Sequence, residues 1–120
     1  MPKRKDDRSY VWDMLESSRT VRKFISGKSF HEFLQDEILR LAVERKLEII
    51  GEAASHLPPE LTKNHPNIPW KVIIGQRHVL AHDYDEIRYE RLWNVCQKDL
   101  PILIEQLEAL LLQLTRENEQ

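Results

Sequence analysis

The stretch that decides the fold is ILRLAVERKLEIIGEAA, residues 38–54. Its apolar residues recur at spacings of three and four, which is typical of an α-helix, and they form two separate stripes. The first stripe is Ile38, Leu41, Ala42, Ile49 and Ala53, and the second is Leu39, Val43, Leu47, Ile50 and Ala54. Because a helix with two apolar stripes must pack against neighbours on two sides, we predict that it lies at the centre of a helical domain.

The segments on either side also follow a helical pattern. One apolar stripe within residues 11–25 predicts a first helix that stops near Gly27. Ser29 precedes Glu32 by three residues, the pattern of a capping box, and so opens the central helical segment. Four prolines within LPPELTKNHPNIPW, residues 57–70, forbid one continuous helix and predict a connector with a short turn of helix.

Two further helical patterns complete the chain. One begins near Trp70, and the other runs from Tyr89 to Leu111 and contains Pro101, which should kink or break it. No segment has the pattern of a strand. We therefore predict an all-α fold, an antiparallel bundle of four main helices plus a short connector helix. It would form one domain over residues 1–120, with a flexible basic tail at 1–6 and a frayed end at 115–120.

Composition limits the classes of function. The 120 residues carry a net charge of −2, which argues against coating of long nucleic acid but allows a local basic groove. The single cysteine, Cys96, cannot form an internal disulfide, and its place on an apolar stripe predicts an inert buried thiol. No signal peptide or membrane-spanning run is apparent, so we expect a cytoplasmic protein without membrane contact.

The stretch RHVLAHDY, residues 77–84, places an arginine, two histidines, an aspartate and a tyrosine within eight positions. Arg77 and His82 are five positions apart, about 140° on an ideal helix, so they do not share a face cleanly. His78 and His82 are four apart and do share one. Tyr84 follows two residues after His82, in an acidic surrounding where an exposed hydroxyl is expected.

These residues carry a family resemblance. Arg77, His82 and Tyr84 form an Arg-x4-His-x-Tyr pattern that resembles the signature of HEPN-domain ribonuclease toxins of the HepT family. IIGEAA at 49–54 and IPW at 68–70 make the likeness more specific than the motif alone.

The likeness also includes the last helix, LWNVCQKDLPILIEQLEALL at 92–111, and in all extends from about Asp7 to Leu114. The chain departs from the wider superfamily at His78, where asparagine is common.

The resemblance implies a HEPN-like fold and a homodimeric endoribonuclease toxin that cleaves RNA without a metal or other cofactor. It makes Arg77 and His82 the catalytic residues, and His78 a candidate for a supporting role. The chemistry suits these side chains, because imidazole exchanges a proton near neutral pH and guanidinium binds phosphate oxygens in a fork. Two such motif helices meeting across a two-fold axis would bring both residue types into one cleft.

The resemblance further implies a partner that controls the toxin. This partner is an MntA-type nucleotidyltransferase antitoxin, which would transfer AMP from ATP to Tyr84. An AMP adduct adds bulk and negative charge beside Arg77, and so would repel the phosphate backbone of RNA.

Other interpretations of the same residues stay open. Arg77 could form a surface ion pair and His82 could cap a helix end. His78 and His82 could bind a metal ion together with Asp83 and Asp85, although no third distant ligand has a diagnostic spacing. The chain could also be a non-catalytic helical module that only binds a nucleotidyltransferase. Arg45, Glu48 and Glu52 are expected to form a charge network within the central helix.

Overall fold

The computed structural model describes the backbone of residues 6–82 and 85–119, and the side chains of residues 6–76 and 88–119. No strand occurs within these ranges, which confirms the all-α prediction. The helices are α1 (Asp7–Ile25), α2 (Phe30–Gln35), α3 (Glu37–Ser55), α4 (Pro59–Asn64), α5 (Trp70–His82), α6 (Asp85–Asn94), a π-helical segment (Val95–Asp99) and α7 (Leu100–Asn118).

A side-chain cap and a glycine set the two ends of helix α1. The Asp6 carboxylate accepts a hydrogen bond from the Ser9 amide at 2.9 Å and so caps the first turn. The chain leaves the helix through Gly27, whose φ of 74° lies in the left-handed region that favours glycine. The predicted stripe is confirmed, since its members are buried: Val11, Met14, Leu15, Ser18, Val21 and Ile25.

The central segment is two helices instead of one. The predicted capping box is present, with the Ser29 hydroxyl and the Glu32 carboxylate each accepting a backbone hydrogen bond at 3.1 Å. Helix α2 ends after six residues, and the side chain of Asp36 then caps α3 by accepting from the Leu39 amide at 3.0 Å. The second cap lets the chain change direction, so that α2 packs against α6 while α3 enters the core.

Helix α3 occupies the predicted central position, because it packs against α1, α2 and α5. One of its two predicted stripes is confirmed, with Val43, Leu47, Ile50 and Ala54 buried and Leu39 half-buried. The other is wrong in its first half, since Ile38 is 82% exposed and Leu41 is 57% exposed. The neighbouring helices pack on the inner side of α3, and the outer side of its first two turns is open.

The four main helices are α1, α3, α5 and the long helical unit from α6 through α7, as predicted. Helix α1 packs against both α3 and α7, and α3 packs against α5. The bundle encloses one continuous apolar core, whose largest fully buried side chains include Phe33, Met14, Leu15, Ile50, Leu92 and Leu107. Burial of such side chains is the main source of stability in a domain of this size.

The predicted break near Pro101 takes the form of a π-helical segment just before it. Proline has no N–H group to donate to the carbonyl one turn earlier, and the preceding residue, Leu100, instead donates to the carbonyl of Val95, five positions back. From α1, the Arg22 guanidinium donates to the Cys96 carbonyl at 3.0 Å and to the Gln97 side chain at 2.9 Å. One backbone carbonyl of the wider turn therefore has a side-chain partner, and the segment lies against α1.

The connector contains the predicted short helix, α4, which starts at Pro59. Its end is joined to α5, because the Trp70 indole N–H donates to the His65 carbonyl at 3.0 Å. Gln106 of α7 donates to the Asn67 carbonyl at 2.7 Å and so holds the loop against the bundle. At the other end of the chain, α7 extends to Asn118.

We expect Gly27→Ala to lower the free energy of unfolding by about 1 kcal/mol, because alanine pays a steric cost at positive φ. Gly27→Asn is the matched control, since asparagine tolerates this region better and should cost less. Urea denaturation followed by circular dichroism measures the free energy of unfolding of both variants. Equal stability of the alanine variant and the wild type would show that the turn does not need this conformation.

Candidate active site

Helix α5 carries the residues that the sequence singled out. Its described backbone is helical from Trp70 to His82, so Arg77, His78 and His82 all belong to one helix. The side chains of these three residues lie outside the described part of the structure, and so do all atoms of Tyr84. Their predicted roles therefore stay predictions.

The first half of α5 is fixed by burial on one side. Trp70 and Ile73 are buried in the bundle core, and the indole N–H is bonded as described above. The opposite side is uncovered in the single chain, with Val72 66% exposed and both Ile74 and Gly75 exposed. The motif helix is thus anchored along one row of side chains and presents an open face.

The register between α3 and α5 fixes which residues surround the end of the motif helix. An apolar cleft is lined by Leu47 and Ile50 of α3 together with Ile73 and Gln76 of α5. The segment that follows α5 reaches the first half of α3, where Arg88 pairs with Glu44, so the two helices run antiparallel. Both rise equally per residue, so moving back along α3 corresponds to moving forward along α5. The positions one and two turns earlier in α3, Glu44 and Arg40, are therefore level with the last turns of α5.

Helix α6 begins directly after Tyr84 and returns along α2. Its Arg88 lies 3.6 Å from the Glu44 carboxylate of α3 and donates to the Tyr89 hydroxyl at 2.5 Å. The Tyr89 ring packs edge-on against Phe33 of α2, at 6.4 Å between ring centroids. These contacts fasten the segment that follows the motif to the rest of the bundle.

Two guanidinium groups share the Tyr89 ring. The central guanidinium carbons of Arg40 and Arg88 lie 4.7 Å and 4.6 Å from its centroid, distances typical of cation–π contacts. We call Arg40, Glu44, Arg88 and Tyr89 the arginine–tyrosine cluster. Sequence reasoning missed it, because its members come from two helices with no motif in common. The one signal available was the four-residue spacing of Arg40 and Glu44, which places both on one face of α3.

Further polar pairs lie along the middle and the end of α3. Arg45 pairs with Glu48 at 3.3 Å within the helix, as expected, and Glu52 pairs with the C-cap residue His56 at 3.2 Å. The Tyr10 ring of α1 stacks on the His56 ring at 4.9 Å between centroids. By the same register the Glu52–His56 pair is level with the start of α5.

Cys96 has no role in a site. Its side chain is fully buried, and this burial raises the pKa of the thiol to about 12, with the Arg22 charge opposing the rise. A thiol with such a pKa stays protonated and unreactive at neutral pH, as the sequence predicted.

No group of three or more metal-ligating side chains occurs among the residues whose side chains are described. The alternative metal site at His78, His82, Asp83 and Asp85 falls outside them and stays a hypothesis. Over the same described part of the chain, no helix has the length and apolarity needed to span a membrane.

Several proteins are similar to this chain over most of its length. "Putative RNase MJ0127" of Methanocaldococcus jannaschii is 36% identical over 119 residues, which is 99% of this chain and 98% of that protein. "Putative RNase MJ1380" of the same organism is 35% identical, over 89% of this chain and 98% of that protein. "Probable ribonuclease HepT" of Thermococcus cleftensis is 33% identical, over 89% of this chain and 97% of that protein.

No solved structure matches the chain. The family model described as "Ribonuclease HepT-like" matches residues 14–110, a span that includes the last three turns of α1, the whole of α2–α6, the first three turns of α7 and the polar stretch at 77–84. With the all-α bundle and the relatives above, this match shows that the chain belongs to the HepT-like ribonuclease family.

Proposed function

We propose that this protein is a metal-independent endoribonuclease that acts as the toxin of a toxin–antitoxin system, with Arg77 and His82 as its catalytic residues. The observation that carries the proposal is the match to a ribonuclease family over residues 14–110, which include the Arg-x4-His-x-Tyr motif. The open face of α5 supports it, because a residue on an uncovered helix can reach a large substrate such as RNA.

The proposed reaction needs only groups that these residues supply. The ribose 2′-oxygen attacks the adjacent phosphorus and the bond from phosphorus to the 5′-oxygen breaks, which leaves a cyclic phosphate and a 5′-hydroxyl. One imidazole accepts the proton of the 2′-hydroxyl, and an imidazolium donates a proton to the leaving oxygen. The guanidinium of Arg77 stabilises the charge that builds up on the phosphate oxygens. His78, next to Arg77, is assigned a supporting role.

We further propose that the active unit is a homodimer in which the α5 helices of two subunits meet. One subunit separates Arg77 from His82 by about 140° around the helix, whereas two subunits can supply one residue each to a shared cleft. Gly75 supports this arrangement: it is exposed, and a Cβ atom built on it would meet nothing within 4 Å in the single chain. Glycine costs about 0.5–1 kcal/mol relative to alanine within a helix, so an approaching second helix is one reason to retain it.

Control of the toxin is assigned to Tyr84. We propose that an MntA-type nucleotidyltransferase antitoxin transfers AMP from ATP to its hydroxyl, with pyrophosphate as the leaving group. The adduct carries a negative phosphodiester close in sequence to Arg77 and His82. It would therefore exclude RNA by repulsion and by occupying the guanidinium. This covalent silencing would persist after the antitoxin dissociates.

We expect Arg77→Ala and His82→Ala each to lower the rate of RNA cleavage by a factor of about 100 or more, because each removes a group that acts on the reacting phosphate. Arg19→Ala is the control, since Arg19 forms an exposed ion pair with Glu108 at 3.3 Å on the α1–α7 side. Gel analysis of a labelled RNA measures the rates, with circular dichroism to show that the variants fold. Wild-type cleavage should persist in excess EDTA, and strict dependence on magnesium would contradict the mechanism.

The shared cleft predicts complementation between inactive subunits. Mixing Arg77→Ala subunits with His82→Ala subunits should restore part of the activity, because a mixed dimer would contain one intact pair. Sedimentation velocity should give a dimer for the wild type, and Gly75→Trp should shift it towards monomer with loss of cleavage. Full activity in a monomeric species would overturn the dimer, and would leave the assignment of Arg77 and His82 standing.

The control step predicts a specific adduct. Incubation with the cognate nucleotidyltransferase, ATP and magnesium should add one or more AMP masses to the peptide that contains Tyr84, with cleavage falling as the adduct accumulates. Tyr84→Phe should keep much of the ribonuclease activity and resist inactivation, because only the hydroxyl is lost. Mass spectrometry measures the adduct on the wild type and on the Phe variant, and cleavage assays measure the activity of each. Equal silencing of the Phe variant would place the control in tight complex formation or at another residue.

Tight binding of the nucleotidyltransferase by a chain that cleaves no RNA would favour the alternative function, a non-catalytic helical module.

A further inference from the structure

Arg40 is a cation whose charge is not balanced by a carboxylate among the described residues. Its side chain is half-buried, one guanidinium nitrogen donates to the Leu34 carbonyl, and the group lies on the Tyr89 ring. Its Nε is buried without a hydrogen-bond acceptor in the described part of the chain. Removing a charge from water is costly unless a partner of opposite charge compensates, so this guanidinium is well suited to receive an anion.

Four other arginines of the bundle have different partners. Arg19, Arg45 and Arg88 each pair with a carboxylate, Glu108, Glu48 and Glu44 respectively. Arg22 donates to two acceptors of the π-helical segment and so has a structural role. Arg40 differs from these four, because among the described side chains a carbonyl and an aromatic ring hold it in place and no carboxylate neutralises it.

Arg40 lies level with the end of the helix that carries the motif. The register between α3 and α5 puts it level with the end of α5, where the helix reaches His82. The ring that it contacts, Tyr89, is the fifth residue of α6, and α6 starts one residue after Tyr84. The guanidinium is thus level with the end of the motif helix, on the α3 side.

We propose that Arg40 binds a phosphate of the RNA substrate that flanks the phosphate being cleaved. The terminal guanidinium N–H groups that the Leu34 carbonyl does not take can donate to phosphate oxygens, and the contact with the Tyr89 ring holds the guanidinium in place. Arg88, held by Glu44, packs on the same ring and so positions Tyr89. Arg40 would then add affinity and register for RNA without taking part in bond breaking. The inference rests on the proposed function, because it assigns a second contact to the same substrate.

The test measures binding separately from cleavage. In a His82→Ala background, which is expected to bind RNA without cutting it, fluorescence anisotropy of a labelled single-stranded RNA gives the association constant at several salt concentrations. Arg40→Gln should weaken binding and should reduce the slope of log K against log salt by about 0.7, the value for one lost phosphate contact on a single strand. Arg40→Lys keeps the charge and should retain the slope, with weaker binding because the fork is lost.

Arg19→Gln in the same background is the matched control, since it removes the same charge at an exposed ion pair on α1. An Arg40→Gln slope equal to that of this control would overturn the proposal. If Arg40→Gln does not fold, the Arg40 side-chain N–H resonances of the His82→Ala protein can be followed by NMR during titration with the same RNA. A shift that saturates with binding supports the contact, and unchanged resonances at saturation contradict it.

The two proposals can fail separately. If the wild type cleaves RNA and Arg40→Gln leaves the salt slope unchanged, the endoribonuclease assignment stands and the Arg40 contact is wrong. If the wild type does not cleave, yet binding depends on Arg40 as described, the chain binds RNA through this residue and the catalytic assignment is wrong.

Discussion

The structure depends on the burial of one face of α3. Its inner row of Val43, Leu47, Ile50 and Ala54 is covered by neighbouring helices, and the fold has no other way to bury these residues. The same packing places α5, since Leu47 and Ile50 line one cleft together with Ile73 and Gln76. The motif helix is therefore held by residues that precede the motif, with Trp70 and Ile73 buried in the core.

The local features of the fold were predictable because each has a cause within a few residues of sequence. The capping box at Ser29 and Glu32, the stop at Gly27, the short helix after Pro58 and the break before Pro101 are of this kind. The exposure of Ile38 and Leu41 was not predictable, because periodicity shows that a face is apolar but not whether a neighbouring helix covers it. The division of α2 from α3 was missed because the cap at Asp36 is followed by an uninterrupted helical pattern.

The residues discussed for the candidate site also fall into two groups, those that a sequence pattern singles out and those that only the folded structure brings together. Arg77, His78, His82 and Tyr84 stand close together in the sequence, so a motif could reveal them. Arg40, Glu44, Arg88 and Tyr89 meet only after α3 and α6 pack together. Nothing in the sequence links positions 40 and 89, and the contact between them follows from tertiary structure alone. A sequence motif identifies groups that react, whereas groups that hold a long substrate come from several elements and are found in the folded chain.

The π-helical segment at Val95–Asp99 also decides where the chain can change in length. A π turn accommodates one residue more than an α turn, so deleting a single residue there would restore a regular α-helix and leave the faces of α6 and α7 almost unchanged. Each residue of an α-helix turns the chain by 100°, so deleting a residue between Tyr89 and Val95 would instead rotate α6 by that angle about its own axis relative to α7. Tyr89 would then leave Phe33, and Arg88 would leave Glu44. Tolerance to a one-residue deletion in this helical unit is therefore confined to the π-helical segment.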